Sequence, residues 1–266
     1  MEAKNLKGAA LQGTIGVVDG EGSIADPATA IFPILKQTID GNLHLIGTGF
    51  FITDNGIFAT AKHVLLDVID DRGVQTHPIV LVQFVEDSFV IRPILRCANH
   101  AVADISVGMV APMNHNKLGT PLKNKLLNLT QTVPACGEHV STYAYPRSVI
   151  KHGDAQELHF YADFFEGRVQ QHFPNGRDSV LMPGPCAQTS IYVHGGASGG
   201  PVFDASGEVF AVNSTGFEND DVSFVTPIHT IESLHLDDVF IPTNTSGRVS
   251  VGELIDSGFI VYRKTV

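Results

Sequence analysis

Apolar residues in this chain come in short runs, as in Ile79-Val80-Leu81-Val82-Gln83-Phe84-Val85 and Ser88-Phe89-Val90-Ile91, with Glu86-Asp87 between them as a turn. A helix that buries one face needs roughly ten or more residues at a 3.6-residue period, whereas a strand needs only about four to eight. Such runs argue for β-barrels or sandwiches over helical bundles. Helical signal is confined to two short stretches, Lys123–Leu129 and Thr230–Leu234. With 266 residues, 43% of them hydrophobic, the chain can build a substantial core as one large domain or two small ones. It contains no internal repeat and no low-complexity tract.

One segment speaks to chemistry: His194-Gly195-Gly196-Ala197-Ser198-Gly199-Gly200-Pro201-Val202. Gly199 and Gly200 allow a tight turn beside Ser198, and Gly196 leaves a main-chain N–H uncovered where an oxyanion could be held. A serine hydroxyl is a weak nucleophile and needs a base, usually histidine, oriented in turn by a carboxylate. With 12 His and 28 acidic residues, context must choose the partners. His63 follows two short apolar strands joined through Asn55-Gly56, a pair suited to a hairpin turn, so it stands at a strand's end. Asp104 lies at the mouth of the apolar strand Ile105-Ser106-Val107-Gly108-Met109-Val110, where a solvated charge would not be needed. Asp67, Asp70 and Asp71 follow His63 too closely and read as the polar end of a helical turn.

Thr60-Ala61-Lys62-His63, Ala103-Asp104-Ile105-Ser106 and Gly196-Ala197-Ser198-Gly199-Gly200-Pro201-Val202 together resemble the His, Asp and Ser motifs of chymotrypsin/trypsin-like serine proteases, in detail closer to the bacterial HtrA/Deg-like branch. Gly137–Val140 with Ala144-Tyr145-Pro146 resembles the opening strand of that fold's second barrel, and Phe224–Ile228 its closing strand and helix entry. The resemblance implies an all-β fold of two six-stranded antiparallel β-barrels with the active site between them. It divides the chain into an N-terminal arm or leading strand (1–29), a first barrel carrying His63 and Asp104 (30–120), a linker and second barrel carrying Ser198 (121–239), and a C-terminal tail (240–266), one functional protease unit. HtrA enzymes usually add a PDZ module; the tail is too short for one, and a strand covering a barrel edge is its natural use.

The implied activity is that of a serine endopeptidase acting on protein or peptide substrates, with His63, Asp104 and Ser198 catalytic and the N–H groups of Gly196 and Ser198 as oxyanion hole. The substrate pocket maps to Tyr192 and to Asn213, Ser214 and Thr215, the last three offering backbone groups to pair with an extended peptide. Tyr192 either shortens the pocket or is a core aromatic pointing away; not being acidic, it argues against trypsin-like preference for Lys or Arg. Ala197 stands where trypsin-like zymogens carry an acid that pairs with a newly cut N-terminus, so loop order or constitutive activity replaces clipping. Gly216–Ser223 reads as a mobile loop flanking the pocket or as a passive hairpin connection. The alternative to an enzyme is a catalytically silent protease-fold binding module.

A net charge of −11 and the lack of a basic stripe weigh against nucleic-acid binding, and no stretch approaches the ~20 apolar residues of a membrane helix. His44, His63, His77 and His100 lack a recognised metal-ligand spacing, so no metal or other cofactor is expected. A Ser-Asp-His esterase would run in a different chain order. Cys97, Cys136 and Cys186, odd in number and widely spaced, read as buried free thiols in a reducing compartment. Without an apolar h-region after Met1–Lys7 the expectation is a cytoplasmic protein, a removed leader being the open alternative.

Overall fold

The structure is a computed structural model and describes residues 17–18, 22–66, 77–85, 88–114, 119, 122–146, 148–151, 157–192, 194–216, 223–239, 241, 244 and 246–264. Asp67, Asp70, Asp71, the Glu86-Asp87 turn and residues 217–222 of the expected pocket loop lie outside these. A short antiparallel pair, β1 (Val17–Val18) and β2 (Ile24–Ala25), leads in. Six strands then close into an antiparallel barrel: β3 (Ile31–Gln37), β4 (Leu43–Phe51), β5 (Ile57–Thr60), β6 (Ile79–Val85), β7 (Ser88–Asn99) and β8 (Ser106–Val110). Gly56 turns β4 into β5 with φ at +102°, a conformation glycine adopts without a Cβ penalty. The helix α1 (Lys62–Leu66) begins directly after β5.

β9 (Leu129–Thr130) precedes the second set: β10 (His139–Ala144), the small hairpin β11 (Val149–Lys151) and β12 (Glu157–His159), then β13 (Asp163–Phe173), β14 (Cys186–Thr189), β15 (Pro201–Phe203), β16 (Val209–Gly216) and β17 (Ser223–Pro227). Pairing runs β15-β10-β13-β14-β17-β16, and β16 returns to β15, so this too is a closed six-stranded barrel. The tail adds a pair, β18 (His235–Leu236) with β19 (Val249–Ser250), the helix α2 (Val251–Asp256) and β20 (Tyr262–Arg263), which lies parallel to β9 at the rim of the second barrel. A helix was not expected in the tail. Its start is a capping box in which Glu253 N–H donates to Ser250 Oγ and Ser250 N–H donates to Glu253 Oε2.

Alternation along the strands builds three cores at once. In β4, Phe51 packs inside the first barrel while Phe50 faces the other way, into the apolar layer between the barrels. Phe32, Phe51 and Phe58 meet inside the first barrel, with ring centroids 4.6 and 5.6 Å from Phe32. Burying each phenyl ring contributes about 1.5–3 kcal/mol. Gly108 opposite Phe58 is required by space, since a Cβ there would press into the ring. At the barrel's end the buried Arg92 donates to Gln83 Oε1 (2.7 Å), Asn124 Oδ1 (2.6 Å) and the Ala111 carbonyl (2.7 Å), and burial pushes its pKa down to about 10. Tyr145, fully packed beyond β10, reaches from the second barrel to the first, its hydroxyl donating to the Ile31 carbonyl at 3.1 Å.

The cysteines are all unpaired, but only Cys186 is buried; Cys97 is half-buried and Cys136 exposed, because it sits in the turn before β10 rather than on a strand facing a core.

Candidate active site

His63 is the second residue of α1, one turn past β5, where buried Val64 and Leu65 anchor the helix and leave the imidazole partly open at 45% exposure. Asp104 sits across from it in the bend before β8, its side chain 14% exposed. The carboxylate takes two hydrogen bonds from the one residue: His63 N–H at 3.0 Å and His63 Nδ1 at 2.9 Å. An ionised carboxylate only accepts, so Nδ1 carries the proton and Nε2 is left as the basic atom. Burial alone would raise the Asp104 pKa; the hydrogen bonds and charge of His63, with the Ser214 hydroxyl, outweigh it and hold the carboxyl below its ordinary value.

The bend that carries Asp104 has its own supports, none of them visible as a motif. His100 Nδ1 accepts from Ala103 N–H at 2.8 Å and Val102 N–H at 3.2 Å, which requires that nitrogen to be unprotonated. Burial, with the neighbouring Lys62 charge, lowers the His100 pKa and favours that state. Lys62 Nζ in turn donates to the Ala101 carbonyl at 3.1 Å. Gly184, from the second barrel, lies so close to Ala103 that its Cβ would stand 2.6 Å from Ala103 Cα.

Ser198 lies in the turn between β14 and β15. Gly199, at φ +83°, holds the turn against the first barrel, and its N–H donates to the Asn213 carbonyl at 2.7 Å. Gly196 has φ +92°, and a Cβ there would meet Leu45 Cδ2 at 2.9 Å and the Tyr145 carbonyl at 3.0 Å. Among the described residues no acceptor takes the N–H of Gly196 or of Ser198, so two backbone donors stand unclaimed beside the serine. The Ser198 hydroxyl donates to the Ser214 carbonyl at 3.4 Å, and among the described residues it has no hydrogen bond to His63.

The four pocket residues divide. Asn213 is not available to a substrate: it is fully buried, its amide donates to Thr142 Oγ1 at 2.6 Å, and its backbone N–H and C=O are consumed by Gly200 and Gly199. The reason is register, since β16 must pair with the nucleophile turn at this point. Ser214 is the extra residue of a bulge between Asn213 and Thr215 and so escapes the ladder. Its carbonyl faces the Ser198 hydroxyl, and its own hydroxyl supports Asp104 and shares a 2.7 Å hydrogen bond with Thr226. Thr215 is half-buried at the rim. Tyr192 is half-buried and meets His194 edge-on, centroids 4.6 Å apart at 86°, with Phe165 6.3 Å beyond.

A family model described as "Trypsin-like peptidase domain" matches residues 47–212, more than half of the chain. No curated protein matches it. Among solved structures, Deg5 aligns with a TM-score of 0.53 at 18% identity, covering 77% of this chain and 86% of that one. The HtrA-type protease AlgW, solved with a tripeptide, aligns with a TM-score of 0.51 at 17% identity over 76% of this chain and 57% of its own. Identities this low establish likeness of fold.

Proposed function

The chain belongs to the trypsin-like peptidase domain family, and from that membership we propose that it is a serine endopeptidase acting through Ser198, His63 and Asp104. His63 Nε2 takes the Ser198 proton as Oγ attacks a peptide carbonyl, giving a tetrahedral intermediate whose oxygen accepts from the Gly196 and Ser198 N–H groups. Collapse expels the amine, which receives the proton from His63, and leaves an acyl-enzyme. Water, deprotonated by the same imidazole, then releases the acid and restores Ser198. Asp104 stays ionised throughout, holding the Nδ1–H tautomer and stabilising the imidazolium.

The observation that carries this reading is the paired hydrogen bonding of His63 to Asp104, which leaves Nε2 basic, together with a serine flanked by two unclaimed N–H donors in a turn packed against Ala61, two residues before His63. The rest position of the Ser198 hydroxyl on the Ser214 carbonyl favours a second reading, a binding module that keeps the fold without the chemistry. A peptide-library digest of wild type beside Ser198→Ala separates the two. Cleavage by wild type alone supports the endopeptidase and reports the pocket's preference; cleavage by neither, with peptides retained, supports the binding module.

A further inference from the structure

We propose that Thr48 is a positioning residue that holds the oxyanion-binding turn in shape through its hydroxyl; the inference rests on the serine-peptidase reading above. Thr48 lies in β4, on the first barrel, and is fully buried. It grips the serine turn of the second barrel at two points. Its N–H donates to the Ser198 carbonyl at 2.8 Å, and its Oγ1 donates to the Gly196 carbonyl at 2.8 Å. The direction of the second bond is fixed by a third partner: Tyr145 N–H reaches the same Oγ1 at 3.2 Å and can only donate, so the hydroxyl's one proton goes to Gly196. The Thr48 carbonyl accepts from Thr60 Oγ1 at 2.7 Å, tying it to the strand that leads into His63.

The turn can be followed peptide by peptide. The Gly196–Ala197 peptide is held at its oxygen by Thr48 and at its N–H by the His194 carbonyl, 3.1 Å away. The Ala197–Ser198 peptide has its oxygen on Gly200 N–H at 3.0 Å, which leaves the Ser198 N–H for a ligand. The Ser198–Gly199 peptide is held by Thr48 N–H and by the Asn213 carbonyl. Among these hydrogen bonds, only the one to the Gly196 carbonyl comes from a side chain. It also acts at the weakest place, because Gly196 has no Cβ to restrict its rotation and is itself one of the two donors. The Gly196 N–H belongs to the preceding peptide and is steadied through the Gly196 Cα; backbone donors cannot be removed by substitution, but the hydroxyl that anchors the residue carrying one of them can. A residue of the first barrel thereby sets the geometry of the oxyanion-binding turn, which belongs to the second.

The test compares Thr48→Val, which keeps the shape and loses the hydroxyl, with Thr48→Ser, which keeps the hydroxyl. Thr48→Ala runs beside them so that a folding failure of the valine variant still leaves a readable one. The expected result for Thr48→Val is a kcat on a cleaved peptide lowered about tenfold to a hundredfold, short of the roughly 10²–10³ for losing a donor outright. KM should stay within about threefold, the pattern of an interaction made in the transition state. Affinity for a peptide aldehyde, whose adduct oxygen occupies the same place, should fall by the same factor as kcat, and Thr48→Ser should restore both. Wild-type kcat and aldehyde affinity in Thr48→Val or Thr48→Ala, or a Thr48→Ser variant as slow as Thr48→Val, would overturn the proposal. Fluorophosphonate labelling of wild type comes first. An unlabelled Ser198 overturns the peptidase reading and this inference with it, whereas a labelled wild type with unimpaired Thr48 variants overturns this inference alone.

Discussion

Replacing Gly199 by alanine tests how tightly the serine turn is pressed between the barrels. Gly199 has φ +83°, and an L-residue there costs about 1–2 kcal/mol in backbone strain. Its Cβ would also overlap Thr60 Oγ1 and the Thr48 carbonyl and stand 2.8 Å from Ala61 N, the last two being main-chain atoms that cannot swing aside. Overpacking of this kind costs about 1–3 kcal/mol. Pushing the Thr60 hydroxyl off the Thr48 carbonyl forfeits a buried hydrogen bond worth about 0.5–1.5 kcal/mol. The total is about 3–6 kcal/mol, a large share of the roughly 5–15 kcal/mol by which a protein is stable. Gly137→Ala is the control: it has φ +91° but nothing within 4 Å of its Cβ, so only the strain of about 1–2 kcal/mol applies. Urea unfolding of the two variants, with unchanged m-values, should separate them by about 2–4 kcal/mol. If both lose the same stability to within about 0.5 kcal/mol, the close approach of the barrels at Gly199 is wrong.

Other substitutions report on the groups around it. Asp104→Asn should fold yet lose roughly 10⁴ in kcat, because an amide can donate to Nδ1 and invert the tautomer; steady-state kinetics checks it. Arg92→Met should lower urea stability by about 2–4 kcal/mol, since it strands Gln83 Oε1 and the Ala111 carbonyl and leaves Asn124 Oδ1 with Gln83 Nε2 alone. The acid limb of stability should have two phases. His100 is held below the usual histidine pKa, so its contribution is present above about pH 6.5 and is lost as pH falls past that region. Asp104 is held below the usual carboxylate pKa, so its contribution persists above about pH 4 and is lost only as pH falls through the lowered value. His100→Asn, which keeps an acceptor that does not titrate, should flatten the first phase, read from urea midpoints between about pH 4 and 8, and leave the second, which lies below about pH 4.

The three side chains of the proposed site stood out in the sequence because each sits beside local punctuation: Asn55-Gly56 before His63, an apolar strand after Asp104, glycines around Ser198. The barrels were legible because their strands are short and their turns marked. What was missed depends on contacts distant in sequence. Thr48 shows no pattern of its own, and its role appears only when β4 meets the serine turn across the barrel interface. His100 carries no motif, and its supporting role appears only when its ring is seen accepting from two backbone N–H groups. Asn213 and Ser214 are adjacent and polar, yet a one-residue bulge buries the first in the ladder and frees the second. The helix α2 carries a local signal, the capping box Ser250-Val251-Gly252-Glu253, which the expectation of a covering strand does not use.

The proposed mechanism requires that Ser198 be a nucleophile activated by His63. Reaction of the intact protein with a fluorophosphonate, located by peptide mass spectrometry, tests it most directly. One adduct is expected, on Ser198, absent in Ser198→Ala and slowed by about 10³-fold or more in His63→Ala. An unmodified Ser198 in wild type, or equal labelling rates in wild type and His63→Ala, would contradict it.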